Sequence, residues 1–78
     1  MPLLRFHWDF FGPDAKLTAE HFLEKIDAFC DREGIRGYTH WVRVQQTRSI
    51  AILECDEKHL VVVRDRLRPK RGERVIGE

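Results

Sequence analysis

Three polar residues near the start of the chain alternate with aromatic residues: Arg5, His7 and Asp9 lie two positions apart. In a β-strand, side chains with this spacing point to the same face of the sheet. An imidazole beside a carboxylate can be held in one tautomer and accept a proton, as a general base does. The spacing therefore raises the hypothesis of a small-ligand or enzymatic site around His7 and Asp9. No third ligand stands at a spacing diagnostic of a metal, so we predict no metal site.

Motifs that fix a chemistry are missing from the sequence. It contains neither the GxxxxGK[ST] nor the GxGxxG pattern of phosphate-binding loops, and no GxSxG nucleophile motif. It also lacks the CxxC pairs of structural zinc sites. We therefore expect no cofactor, assign no catalytic residue, and favour an interaction role over an enzymatic one.

The residues between the polar ones predict a strand over positions 2–11 with one buried face. Large apolar side chains occupy every second position, and a Gly12-Pro13-Asp14 turn ends the run. At about 1.5 to 3 kcal/mol for each buried large side chain, this face would supply much of the stability of so small a domain. The predicted core side chains of this strand are Leu4, Phe6, Trp8 and Phe10.

The next segment predicts an amphipathic helix. Thr18 is a suitable N-cap, with Leu17 before it placed to pack on Phe22, and Gly34 is a suitable left-handed C-terminal residue. The apolar positions recur with a period near 3.6 residues. They are Phe22, Leu23, Ile26, Phe29 and Cys30.

Two further alternating runs, "YTHWVRVQ" and "SIAILEC", predict a β-hairpin with a turn near Thr47 and Arg48. We take the register in which Gln46 faces Ser49. This places Val42, Val44, Ala51 and Leu53 on the helix side of the sheet. The opposite side then carries Trp41, Arg43, Gln45, Ile50, Ile52 and Glu54.

The segment 57–67 has features of both a helix and a strand. Val61, Val62 and Val63 favour a strand, whereas Asp56 as N-cap and the helical spacing of Leu60, Val63 and Leu67 favour a helix. We predict a helix, followed by a short edge strand in "ERVIGE". The order βαββαβ then predicts a ferredoxin-like α+β sandwich in one domain over residues 1–78, with two helices on one face of a four-stranded antiparallel sheet. The alternative is a βαβββ meander with a single helix.

In this fold one sheet face carries no helix, and we call it the open sheet face. It mixes apolar side chains with charged ones, which is unusual for a surface that meets only water. We expect a second copy of the chain or another protein to cover it, and single-stranded RNA or DNA stacking on Trp41 is the alternative. Its predicted members are Arg5, His7, Asp9, Trp41, Arg43, Gln45, Ile50, Ile52 and Glu54.

Charge, apolar runs and cysteine positions indicate which partners and which cellular compartment to expect. The formal net charge is only +1, which does not favour nucleic acid. The sequence shows no signal peptide and no apolar run near the roughly 20 residues that span a bilayer, so we expect a cytoplasmic protein that does not enter a membrane. Cys30 and Cys55 are far apart in sequence, and we expect them to be reduced core thiols.

Overall fold

A computed structural model of the chain describes residues 2–75. Four strands and two helices follow one another in the order βαββαβ, with a single turn of 3₁₀-helix before the second α-helix. The elements are β1 (Leu3–Phe11), α1 (Ala15–Glu33), β2 (Thr39–Val44), β3 (Arg48–Asp56), the 3₁₀ turn (Glu57–His59), α2 (Leu60–Leu67) and β4 (Arg71–Val75).

The strands form one antiparallel sheet in the order β2-β3-β1-β4. This confirms the predicted ferredoxin-like sandwich and rules out the meander, because residues 57–67 are helical. The Asp56 carboxylate accepts the backbone N–H of Lys58 at 2.9 Å and so caps the start of the helical segment. Val63 is completely buried in the core, which explains why the valine run packs as part of a helix.

The core lies between the helices and the face of the sheet that they cover. Phe6 and Trp8 of β1 are 1% and 5% exposed, as the alternation of that strand predicts. Their partners come from both helices and from β3. The buried cluster is Phe6, Trp8, Ala19, Ile26, Phe29, Cys30, Ile35, Ala51, Leu53, Cys55 and Val63.

The predicted start of α1 is wrong by about one turn. The helix begins at Ala15, and Thr18 is already inside it, with its N–H donating to the Asp14 carbonyl at 2.9 Å. Gly12 has a φ of 98°, which lets the chain turn directly into the helix. Leu17, predicted to precede the N-cap, also lies inside the helix and is 53% exposed.

The predicted end of α1 is confirmed. Gly34 adopts the left-handed conformation with a φ of 71°. The N–H of Ile35 then donates to the Cys30 carbonyl at 2.8 Å, and Ile35 itself is buried against the helix.

The hairpin register differs from the prediction by two residues. Val44 pairs with Ser49, and the Gln45 N–H donates to the Arg48 carbonyl at 2.8 Å, so the turn is Gln46-Thr47. A shift of two residues leaves each side chain on its predicted face, since the side-chain period of a strand is two. Strand β4 begins two residues before the predicted "ERVIGE", whose residues 76–78 lie outside the described part of the chain.

Candidate functional site: the open sheet face

The structure brings eight of the nine predicted residues together on one face of the sheet. Across β1 and β3, Arg5 pairs with Glu54, His7 with Ile52, and Asp9 with Ile50. On the other side of β3, Trp41 pairs with Ile52 and Arg43 with Ile50. The ninth residue, Gln45, follows the end of β2 at the exposed turn.

Two members of the open sheet face are more enclosed than the sequence suggested. We expected Ile50 and Ile52 to give this surface exposed apolar area, but they are 2% and 0% exposed. Ile52 lies between His7 on one neighbouring strand and Trp41 on the other. The isoleucines therefore form a small apolar layer under longer side chains. The surface that solvent contacts consists mainly of charged side chains.

Arg5 makes two contacts that organise the centre of this surface. Its Nε donates to Glu54 Oε1 at 2.7 Å, and its guanidinium carbon lies 5.3 Å from the centroid of the Trp41 ring. The second contact is a cation–π geometry. Because Arg5 lies over the indole, one face of the ring is not available for a nucleic-acid base to stack on.

His7 and Asp9 do not form a dyad, because each is bonded to a residue on a neighbouring strand. His7 Nε2 lies 2.8 Å from Glu73 Oε1. Asp9 Oδ2 accepts from Arg71 at 2.9 Å and lies 3.5 Å from Arg48. Sequence reasoning missed Glu73 and Arg71, since only the pairing of β4 with β1 brings them here.

Two polar atoms beneath this surface have no hydrogen-bond partner within residues 2–75: His7 Nδ1 and Asp9 Oδ1. His7 as a residue is 5% exposed, and the Asp9 side chain is 10% exposed. A buried polar group without a partner costs about 1 to 3 kcal/mol. Both atoms are themselves shielded from solvent, so a molecule lying on the open sheet face does not reach them.

A second polar cluster joins α1 to β2 on the other side of the sheet. Asp27 Oδ1 accepts from the Tyr38 hydroxyl at 2.7 Å and lies 2.8 Å from His40 Nε2. The hydrogen bond to Asp27 raises the pKa of Tyr38 to about 12, and the bond from Tyr38 lowers the pKa of Asp27. Sequence reasoning missed this cluster, since its members are 11 and 13 residues apart in chain order.

The two thiols lie in the core, as predicted for structural cysteines. Cys30 and Cys55 are both free and completely buried. Burial raises the pKa of each thiol to about 11, which leaves very little nucleophilic thiolate near neutral pH. Neither has the environment of a catalytic cysteine.

Other classes of site were tested on the described residues. Residues 2–75 contain no group of three or more His, Cys, Asp or Glu placed to hold a metal ion. In the same range, no helix has the length and apolar character needed to cross a membrane.

Comparison with protein-family models, curated proteins and solved structures gave no match. The class that fold and site define is a ferredoxin-like α+β domain with an uncovered, charged sheet face.

Proposed function

We propose that the protein is an interaction module that self-associates through the open sheet face. The occupant of this face is a second copy of the chain, packed face to face with its strands running in the opposite direction. One observation carries the proposal: two pairs of opposite charges, Arg5 with Asp9 and Arg48 with Asp56, come to face each other when the strand direction is reversed about the paired residues His7 and Ile52.

The complementarity is clearest along β1. Arg5 and Asp9 stand two residues on either side of His7, so a twofold axis across the strands at His7 sets Arg5 opposite Asp9 of the second copy. The same axis sets Leu3 opposite Phe11, which is 66% exposed and gains apolar cover.

Strand β3 shows the same pattern, a pair of opposite charges, at residues further from the axis. Asp56 and Arg48 stand four residues on either side of Ile52 and become opposite neighbours under the same axis. Trp41 pairs with Ile52, so the indoles of the two copies approach each other near the axis. A symmetric dimer forms each of these ion pairs twice, whereas the contact between the two indoles lies on the axis and is formed once.

This association relies on charge more than on apolar area, because Ile50 and Ile52 are enclosed within one molecule. Ion pairs at a surface that water reaches are weakened by salt, since the Debye length is about 8 Å at physiological ionic strength. The proposed dimer is therefore reversible and salt-sensitive. A cytoplasmic location is part of the proposal, supported by the two reduced buried thiols.

The nucleic-acid alternative receives less support from this surface. Its carboxylates Asp9, Glu54 and Glu73 repel phosphate, and Arg5 already lies over Trp41. A small-ligand site centred on His7 and Asp9 is also less favoured, because His7, which would accept the proton, is only 5% exposed and is bonded to Glu73.

Sedimentation of charge-reversal variants tests the proposal. Arg5→Glu alone and Asp9→Lys alone each place like charges opposite each other in the dimer, so each should sediment as a monomer. Mixing the two variants restores opposite charges in both contacts of a heterodimer, so the mixture should associate. The wild-type protein should dimerise in low salt and dissociate as salt is added.

Two controls separate association from folding. Lys25→Glu and Glu24→Lys make the same charge changes at exposed positions of α1 and should leave the dimer intact. Thermal melting shows whether each variant is folded. If Asp9→Lys unfolds, the pair Arg48→Glu and Asp56→Lys repeats the test at the second proposed ion pair of the dimer, between Arg48 and Asp56. The proposal fails if the wild type is monomeric at high concentration, or if folded single variants still dimerise. It also fails if a monomeric wild type binds an oligonucleotide with a steep dependence on salt.

A further inference from the structure

A groove separates α2 from the edge strand β4 on the helix side of the sheet. Its volume is about 550 Å³, within the range of roughly 300 to 1,000 Å³ that is usual for small-molecule sites. Leu4 and Phe6 of β1 line its base, and Leu60 and Pro69 add apolar surface at its sides. The groove thus offers an apolar bed that an organic molecule can occupy.

The absence of a side chain at Gly72 keeps this space open. Gly72 pairs with Phe6, and a Cβ added there would lie 3.4 Å from Cδ1 of the Phe6 ring. A larger side chain at this position would extend over the ring and into the groove. Helix α2 has only eight residues, so it covers only part of the sheet beside β4.

The charges around the groove favour an anion. Arg64 and Arg74 line it together with Glu57. Arg71 and Glu73 also border it, but their side chains are bonded to Asp9 and His7 on the open sheet face. The carboxylate of Glu57 is already engaged by Arg74, at 2.8 Å. Within residues 2–75, the Arg64 side chain bonds only to its exposed chain neighbour Asp65, and a surface ion pair of this kind contributes little in water. The Arg64 guanidinium is therefore the cation of the groove that is most available to bind a ligand carboxylate through two parallel hydrogen bonds.

We propose that this groove binds a small amphipathic monoanion, with an aliphatic body lying on Leu4, Leu60 and Pro69 and a carboxylate bound by Arg64. The site is separate from the open sheet face, so it does not depend on the proposed self-association.

Decanoate below its micelle concentration is the probe, titrated into the isotopically labelled full chain while amide chemical shifts are followed. The largest shifts are expected at Gly72, Leu60 and Arg64. Arg64→Gln should weaken binding about tenfold or more, since it removes a charge-assisted pair of hydrogen bonds. Arg66→Gln is the matched control, because this arginine lies on the same helix but does not line the groove.

A second variant and a second ligand keep the test decisive. Gly72→Val fills the groove with a residue that suits a strand, so it should remove binding while the fold is kept. Decan-1-ol has the same chain length without the charge and should bind wild type more weakly than decanoate does. The proposal is overturned if decanoate shifts no groove amide, if wild type and Arg64→Gln bind it equally, or if the alcohol binds as well as the acid.

Discussion

The guanidinium of Arg5 lies over the Trp41 ring, 5.3 Å from its centroid, while its Nε holds Glu54 at 2.7 Å. One arginine on β1 thereby ties together side chains from β3 and β2. A cation–π contact at a partly exposed site contributes about 0.5 to 1 kcal/mol. The main consequence for the open sheet face is that one side of the indole is shielded from solvent.

Removing Arg5 should therefore expose Trp41. In Arg5→Ala we expect stronger quenching of tryptophan fluorescence by neutral acrylamide, measured where sedimentation shows a monomer. The other tryptophan, Trp8, is 5% exposed and contributes little to the change. Arg43→Ala removes an exposed arginine from the same strand as Trp41 and serves as the control. Equal quenching in both variants would mean that Arg5 does not shield the ring in solution.

Introducing a charge at Ile52 should destabilise the single molecule. Ile52 is fully enclosed between His7 and Trp41, so an ammonium placed there by Ile52→Lys is buried without a partner. We expect a loss of about 3 to 5 kcal/mol in the free energy of unfolding, measured by chemical denaturation. Val44→Lys is the control, since Val44 is 57% exposed on the neighbouring strand. If both variants are as stable as wild type, Ile52 is not enclosed.

The two thiols should react slowly in the folded protein. Burial raises the pKa of Cys30 and Cys55 to about 11, so the thiolate is scarce at mildly alkaline pH. A chromogenic disulfide reagent should label both only as fast as the protein opens, and rapidly once denaturant is added. Fast labelling of either thiol without denaturant would place it at the surface.

The ionisation of Tyr38 should depend on Asp27. The folded protein raises the pKa of Tyr38 from 10.0 to about 12, so this contribution to stability is complete below pH 10 and is lost as the pH rises to 12. In Asp27→Asn the pKa of Tyr38 should fall back toward its ordinary value. Ultraviolet absorbance of phenolate measures this directly, because Tyr38 is the single tyrosine of the chain. An unchanged titration in Asp27→Asn would show that the hydrogen bond is absent. Glu20→Gln, at another exposed position of the same helix, is the control.

The sequence by itself determined the order of the first four elements and the faces of β1, β2 and β3. A strand has a side-chain period of two and a helix a period near 3.6, and both periods are local properties of the chain. The assignment of faces is correct although the predicted hairpin register is wrong, because an error of two residues leaves each side chain on the same face. Gly34 likewise marked the end of α1, since the left-handed conformation there costs glycine little.

Local signals were weaker where several residues compete for the same role. Thr18 is a good N-cap by residue type, but α1 begins at Ala15 because Gly12 turns the chain earlier. The run Val61–Val63 suits a strand by propensity, but it is helical because Asp56 caps the segment and Val63 fills the core. The free energies that underlie intrinsic propensities are small compared with the free energy gained by burying a large side chain.

Only the tertiary structure decided which residues meet. The pairing of β4 with β1 brings Glu73 to His7 and Arg71 to Asp9, across 66 and 62 positions of sequence. Strand parity placed Ile50 and Ile52 on the open sheet face but could not show that their neighbours enclose them. Exposure depends on the length and direction of side chains from adjacent strands, and contacts between distant residues leave no periodic pattern in one sequence. For this reason the faces of the sheet could be predicted, whereas the ion pairs on the open sheet face and the groove beside α2 could not.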